Sequence, residues 1–326
     1  MIRPRIGFFL SAEGKDRKSC RAEAKKRGFA MLEDGMIQED FANQNPCRGQ
    51  RPWEREPGMR LAGIIFMAAL LWAQAPPALE AQDAVSLEEL TWTEVRDALA
   101  RGKTTVIIPT GGTEQNGPHM VLGKHNFRVK FTSGEIARRL GDALVAPVMA
   151  YVPEGSINPP SGHMRFPGTI SIPEEYFAKV VEYAARSFEV NGFRDIVLLG
   201  DSGPNQAPLK MVAGNLNREW ASRATRVHYI AAYYDDSRFV AWLKSQGVGG
   251  DAIGRHAGLS DTSLLLPVYP AGVRRDKLAP GNPGGASGVV GDPRGASAAF
   301  GEKGLSLAIT AAVDQIRELR RREPRR

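Results

Sequence analysis

Ile107 to Asn126 reads IIPTGGTEQNGPHMVLGKHN, a short apolar strand that runs into a glycine-rich turn dense in Glu, Asn and His. A carboxylate and imidazoles at the carboxyl end of a strand are how an open α/β sheet assembles a site. Outward from this segment, apolar runs alternate with amphipathic stretches from Ser86 onward in the βαβ manner. The pattern predicts an entry helix over 87–100, a buried strand over 104–109, a helix over 127–140 and a second strand over 143–152. A Pro/Gly/Ser-rich loop over 153–168 follows, long enough to suggest a role of its own. Pro173, with Glu174 and Glu175 behind it, opens a helix to about Val190, as a helix N-terminus prefers. A third strand over 195–199, a helix over 205–221, a fourth strand over 226–234 and a short helix over 236–246 come next. Residues 247–254 and 279–301 read as loops or lids, and 305–322 as the last helix. The expected fold is α/β, a three-layer α/β/α sandwich around a mainly parallel sheet of about four strands.

The 326 residues divide unevenly. Residues 1–58 mix charge, Gly and Pro without periodicity and read as a disordered leader, explained most simply by an upstream start codon assigned in error. Met59-Arg60 then opens the run LAGIIFMAALLWAQA, which is short for a bilayer span. A basic residue in front and small residues with Pro behind make 59–84 a secretory signal peptide, so a periplasmic or secreted mature domain over 85–326 is expected, without a membrane span. The net charge is +7, of which the first 58 residues account for +3 and the last ten for +4, so the body is neutral. A neutral body argues against nucleic acid as a partner, because phosphate contacts need a basic face. Both cysteines, Cys20 and Cys47, lie in the leader, so any metal in the mature chain must sit on N and O ligands.

The first segment also resembles that of creatininase-type amidohydrolases, whose strand is followed by a pattern close to PxGxxEQHGPHLPLxTD. Pro109, Gly111, Glu114, Gln115, Gly117, Pro118, His119 and Leu122 stand in register with it. Three later segments match in the same order: GSINPPSGHMRFPGTIS from Gly155, IVLLGDSGPN from Ile196 and HAGLSDTSLLL from His256. The resemblance implies a hydrolase of C–N bonds acting on a small amide, lactam or peptide-like substrate, and it suggests a homo-oligomer. In the family the first segment supplies a metal-binding Glu, a His two residues on and an Asp nine beyond that, and a later strand-turn supplies another His. Here the Glu is Glu114, but Asn116 stands for the first His, His125 for the Asp and Ser202 for the later His.

Asp201 has meanwhile appeared beside Ser202. Glu114, His125 and Asp201 would offer two oxygens and a nitrogen to one divalent ion, Zn²⁺ or Mn²⁺, with Asn116 or His119 adding an outer contact. By the resemblance, His256 and Asp261 stand over the scissile amide as the proton-moving pair. His163 and Arg165, with Asn116 and Ser202, are the expected substrate contacts, His163 at the substrate mouth and Arg165 placed to pair with a substrate carboxylate. The expected reaction is attack by a metal-activated water on a carbonyl, His256 protonating the leaving nitrogen. Two other readings stay open. Gly200-Asp201-Ser202-Gly203 after an apolar strand has the form of a nucleophile elbow, with Ser202 attacking and His256 and Asp261 behind it. Alternatively the altered ligands mark a degenerate metal site in a non-catalytic binding protein. His228, mid-strand, is read as a structural histidine.

Overall fold

A computed structural model describes residues 84–282 and 285–322. The leader over 1–58 and all but the last residue of the expected export signal lie outside the described residues. Four parallel strands, β1 (Thr105–Thr110), β2 (Ala143–Val145), β3 (Asp195–Gly200) and β4 (Arg226–Tyr229), form one sheet in the order β2-β1-β3-β4. β1 and β3 run side by side over their whole length, from Thr105 opposite Asp195 to Thr110 opposite Gly200. Nine helices among the described residues connect and cover the strands: α1 (Trp92–Ala100), α2 (Lys124–Leu140), α3 (Glu174–Val190), α4 (Gln206–Glu219), α5 (Ala231–Tyr234), α6 (Ser237–Ser245), α7 (Gly250–Ile253), α8 (Leu259–Leu265) and α9 (Ala298–Arg322).

Side chains alternate across a strand, so each central strand feeds two cores. Val106, Ile108, Ile196 and Leu198 pack with Ala98 of α1, Phe177 and Val181 of α3 and Leu209 of α4 on one face. Ile107, Val197 and Leu199 pack with Val129 and Ile136 of α2 and with Leu305, Ile309 and Val313 of α9 on the other. Each such fully buried side chain contributes roughly 1.5–3 kcal/mol. The three-layer α/β/α expectation therefore holds, with β1 and β3 buried throughout, as strands covered on both faces must be.

Three boundaries differ from the expectation. β2 ends at Val145 because the next bond of the ladder, after that from the Ala146 N–H to the Ile107 carbonyl, would need an N–H on Pro109 of β1, although Thr110 and Met149 still form an isolated bridge. β4 stops at Tyr229, and the chain turns at once into α5, since a short apolar run does not by itself distinguish strand from helix. α9 begins at Ala298 rather than 305, and it includes Gly301, the end of the expected loop, and Gly304. These glycines mark a close helix crossing: a Cβ at Gly301 would come within 1.9 Å of the Ser263 carbonyl oxygen of α8. No helix among the described residues is long and apolar enough to cross a membrane.

Candidate active site

α2 connects β1 to β2 on one side, and α3 carries the chain back past β1 to β3 on the other, so the strand order reverses between β1 and β3. The crevice beyond their carboxyl ends is where an open α/β sheet binds its ligand. Glu114 enters it four residues after β1, and Asp201 and Ser202 enter directly after β3. α2 brings Lys124, His125 and Arg128, the 153–168 loop brings Glu154 and His163, and the turn before α8 brings His256. A cavity of about 530 Å³ opens here, lined by Glu114, Lys124, His125, His163, Asp201 and His256 among others.

Glu114, only 2% exposed, is the hub of the site. Its Oε1 lies 2.8 Å from His125 Nε2, 3.6 Å from Lys124 Nζ and 3.7 Å from His256 Nδ1, and its Oε2 lies 3.1 Å from His163 Nε2. Glu114, His163 and His256 each present one ligand atom, all within 4.8 Å of one another. The Gln115 side-chain amide nitrogen lies 3.0 Å from both His163 Nδ1 and His256 Nε2 and donates to the Gly288 carbonyl at 3.2 Å. His256 Nε2 also lies 2.9 Å from the Gln115 carbonyl oxygen, so it carries the proton and leaves the Nδ1 lone pair facing Glu114.

Burial alone would raise the Glu114 carboxyl, yet His125, Lys124 and His256 around it hold it well below the usual range. Burial pushes His163 down against the pull of Glu114, and burial with the Lys124 ammonium pushes His256 down to about 4. An ionised carboxylate and two neutral imidazoles are the donor set a divalent ion requires, so the three residues fit a single metal ion by their chemistry. Beside them Glu154, which Ser202 Oγ reaches at 3.4 Å, keeps Oε1 buried without a hydrogen-bond partner. Its burial and the neighbouring Glu114 carboxylate push it up to about 10.

A second layer surrounds this hub. His125 Nδ1 is 2.5 Å from Asp201 Oδ1, Arg128 Nε donates to both Asp201 oxygens at 2.8 and 3.0 Å, and the Tyr233 hydroxyl donates to Asp201 Oδ2 at 2.5 Å. Asp261 accepts from Lys124 Nζ at 2.8 Å, from Arg128 Nη1 at 3.1 Å and from the Ala257 N–H at 2.9 Å. Ala257 is held at φ +52, in the left-handed region that an L residue rarely adopts. That turn aims its neighbour His256 into the cavity.

The chain matches the family model described as creatininase, creatinine amidohydrolase, over residues 88–316. The chain belongs to the creatininase family. It is similar to a mycofactocin precursor peptide peptidase of Mycolicibacterium smegmatis, 28% identical over 234 residues that cover 65% of this chain and 84% of the relative. It is also similar to the creatinine amidohydrolase of Pseudomonas putida, 27% identical over 254 residues that cover 72% and 96%. Solved creatininases, one a manganese form and one a Zn–Zn type variant, superpose with TM-scores of 0.61 at 26% identity over 72% of this chain.

Within that family frame several sequence expectations need correction. Glu114, His125 and Asp201 do not surround a common point: the His125 imidazole stands between the two carboxylates, with one ring nitrogen on each. Asp201 is in turn taken up by Arg128 and Tyr233, so His163 and His256, not His125 and Asp201, share the centre with Glu114. His256 and Asp261 share no hydrogen bond among the described residues, and the Asp261 oxygens are engaged by Lys124, Arg128 and a backbone N–H. The cations Lys124 and Arg128 hold Asp261 well below the usual carboxylate range against its burial, which unsuits it to carry a proton.

Asn116 turns away from the cavity and donates to the carbonyls of Glu114 and Val121, tying the turn together. His119 is buried against Thr262 Oγ1 at 3.0 Å. Arg165 lies exposed on a short 3₁₀ turn, donates to the Gly162 carbonyl and does not line the cavity. Ser202 lines it, but its extended backbone, φ −103 and ψ 150, lacks the strained turn of a nucleophile elbow, and its hydroxyl meets Glu154, not His256. His228 is hydrogen-bonded to Asp195 at 3.0 Å within the sheet. Lys124, Arg128, Glu154, Gln115 and Tyr233 were not foreseen. No signal in the sequence pointed to Lys124, because the helix expected over 127–140 left it in the preceding turn, and only the structure makes it the first residue of α2.

Proposed function

We propose that this chain is a hydrolase of C–N bonds in a small amide, lactam or peptide-like substrate, dependent on a divalent ion, Zn²⁺ or Mn²⁺, held by Glu114, His163 and His256. The observation that carries this reading is the convergence of one carboxylate and two imidazoles within 4.8 Å in the wall of a 530 Å³ cavity, in a creatininase-family fold. When bound, such an ion supplies Lewis acidity to a carbonyl and to a water.

The chain's own residues provide the remainder. The Gln115 carbonyl keeps the His256 proton on Nε2, and the Gln115 side-chain amide packs against both the His163 and His256 rings. Asp261, kept ionised by Lys124 and Arg128, fixes the Ala257 turn and thereby the direction of His256. Lys124 and Arg128 are paired with Glu114, Asp201 and Asp261, so they balance most of the acidic charge in the cavity wall.

Metal analysis of the purified chain after dialysis against Zn²⁺ or Mn²⁺, with hydrolysis of cyclic amides and short peptides followed in parallel, tests the reading. Glu114→Ala, His163→Ala and His256→Ala each lose the ion and the activity, whereas Ser202→Ala keeps the ion. Retention of the ion in both histidine variants would refute this ligand set. Export rests on the run that follows Met59-Arg60. It predicts a mature N-terminus near Ala81 or Ala84 by N-terminal sequencing of protein recovered outside the cytoplasm. Assembly as a homo-oligomer is the corresponding expectation for sedimentation analysis.

A further inference from the structure

Lys124 is an expensive residue where it stands. It is 1% exposed, and it is the first residue of α2, where the helix dipole already presents positive charge. What compensates is position: Nζ lies 2.8 Å from Asp261 Oδ2 and 3.6 Å from Glu114 Oε1, between two carboxylates from different elements, Glu114 buried and Asp261 partly so. One turn along, Arg128 spans Asp201 and the other oxygen of Asp261. Three acids are thus met by two tethered cations before any ion binds, which leaves one negative charge over. A similar solved chain is of the Zn–Zn type, with two divalent ions. In the family pattern the residue in register with Lys124 is Thr, which carries no charge.

From this geometry we infer that the Lys124 ammonium occupies the place of a second cation in the site, so that the chain takes one divalent ion where the Zn–Zn form takes two. The inference rests on the reading that Glu114, His163 and His256 hold the first ion. An ammonium on Glu114 Oε1 excludes a second ion in two ways: it fills the space between Glu114 and Asp261, and it repels a dication at short range. Because it is covalently tethered, neither dilution nor a chelator removes it.

The test counts ions per chain by equilibrium dialysis of the purified chain against Zn²⁺ after chelation, with circular dichroism confirming the fold of each variant. Wild type saturates at one. Lys124→Thr, which opens the space between the two carboxylates and removes the ammonium from both, saturates at one ion more than wild type, and Lys124→Arg, which keeps a cation there, at no more than wild type. Equal counts in folded Lys124→Thr and wild type would overturn the inference, as would two ions in wild type, a result readable even if the threonine variant does not fold. A wild type without any ion, beside a threonine variant with one, would support the role of Lys124 and refute the Glu114, His163 and His256 site.

Discussion

His125 and His256 show how little a residue's type says about its task. Both imidazoles lie within reach of Glu114 Oε1, yet His125 has a carboxylate on each ring nitrogen, whereas His256 gives its proton to a carbonyl and keeps a lone pair free. His125 therefore orients Glu114 from outside the metal's own ligands. Its replacement by Ala is expected to weaken metal binding about 10–100-fold without abolishing it, as seen by titration with a chromogenic chelator, while His256→Ala abolishes it. Asp201 carries a pH dependence. Arg128 and His125 hold its folded carboxyl below the ordinary range against the effect of burial. A depressed folded value adds stability that is fully present above about pH 4 and is lost as pH falls below it. Asp201→Asn should cost about 3 kcal/mol at pH 7, because it leaves Arg128 with only Asp261 as a charged partner. It should also flatten the acid limb of the stability curve between about pH 4 and 2, measured by urea unfolding; an acid limb as steep as that of wild type would count against the pair.

At the scale of elements, the loops hold the site and the helices close it. The Gln115 amide is pinned by the glycine-rich segment after residue 279: Gly288 stands at φ +68, and a Cβ there would come within 2.0 Å of Gln115 Oε1. Gly288→Ala is expected to displace Gln115 and lower metal affinity roughly tenfold, with the melting temperature changed far less than the affinity. Gly301 lies at the crossing of α8 and α9, where its hydrogen is all that fits. Gly301→Val should destabilise the fold by about 1–3 kcal/mol in denaturant titration, by overpacking. The order and type of the elements were legible in the sequence, because buried strands, amphipathic helices and the Pro173 helix start are set by near neighbours in the chain. The ends of β2 and α9 were less so, since Pro109 and Gly301 take their meaning from a partner strand and a partner helix.

For the whole molecule, the two cores make a rigid base and the crevice above β1 and β3 collects side chains from five separate segments. An ion bound only by the folded chain stabilises it by mass action, about 2.7 kcal/mol at a hundredfold excess over Kd. Saturating Zn²⁺ should therefore raise the melting temperature by roughly 5–10 °C in wild type and leave His163→Ala unmoved. By itself the sequence determined the layered α/β fold, the strand ends at which a site forms and the family, because hydrophobic period, turn chemistry and motif spacing are local properties. Only the tertiary structure decided which side chains face one another. Gln115 and His256 are 141 positions apart and Lys124 and Asp261 137, and whether such pairs meet depends on packing that no local pattern records. For that reason Glu114 was recognisable in advance, while its companions were settled only where α2, the 153–168 loop and the turn before α8 come together.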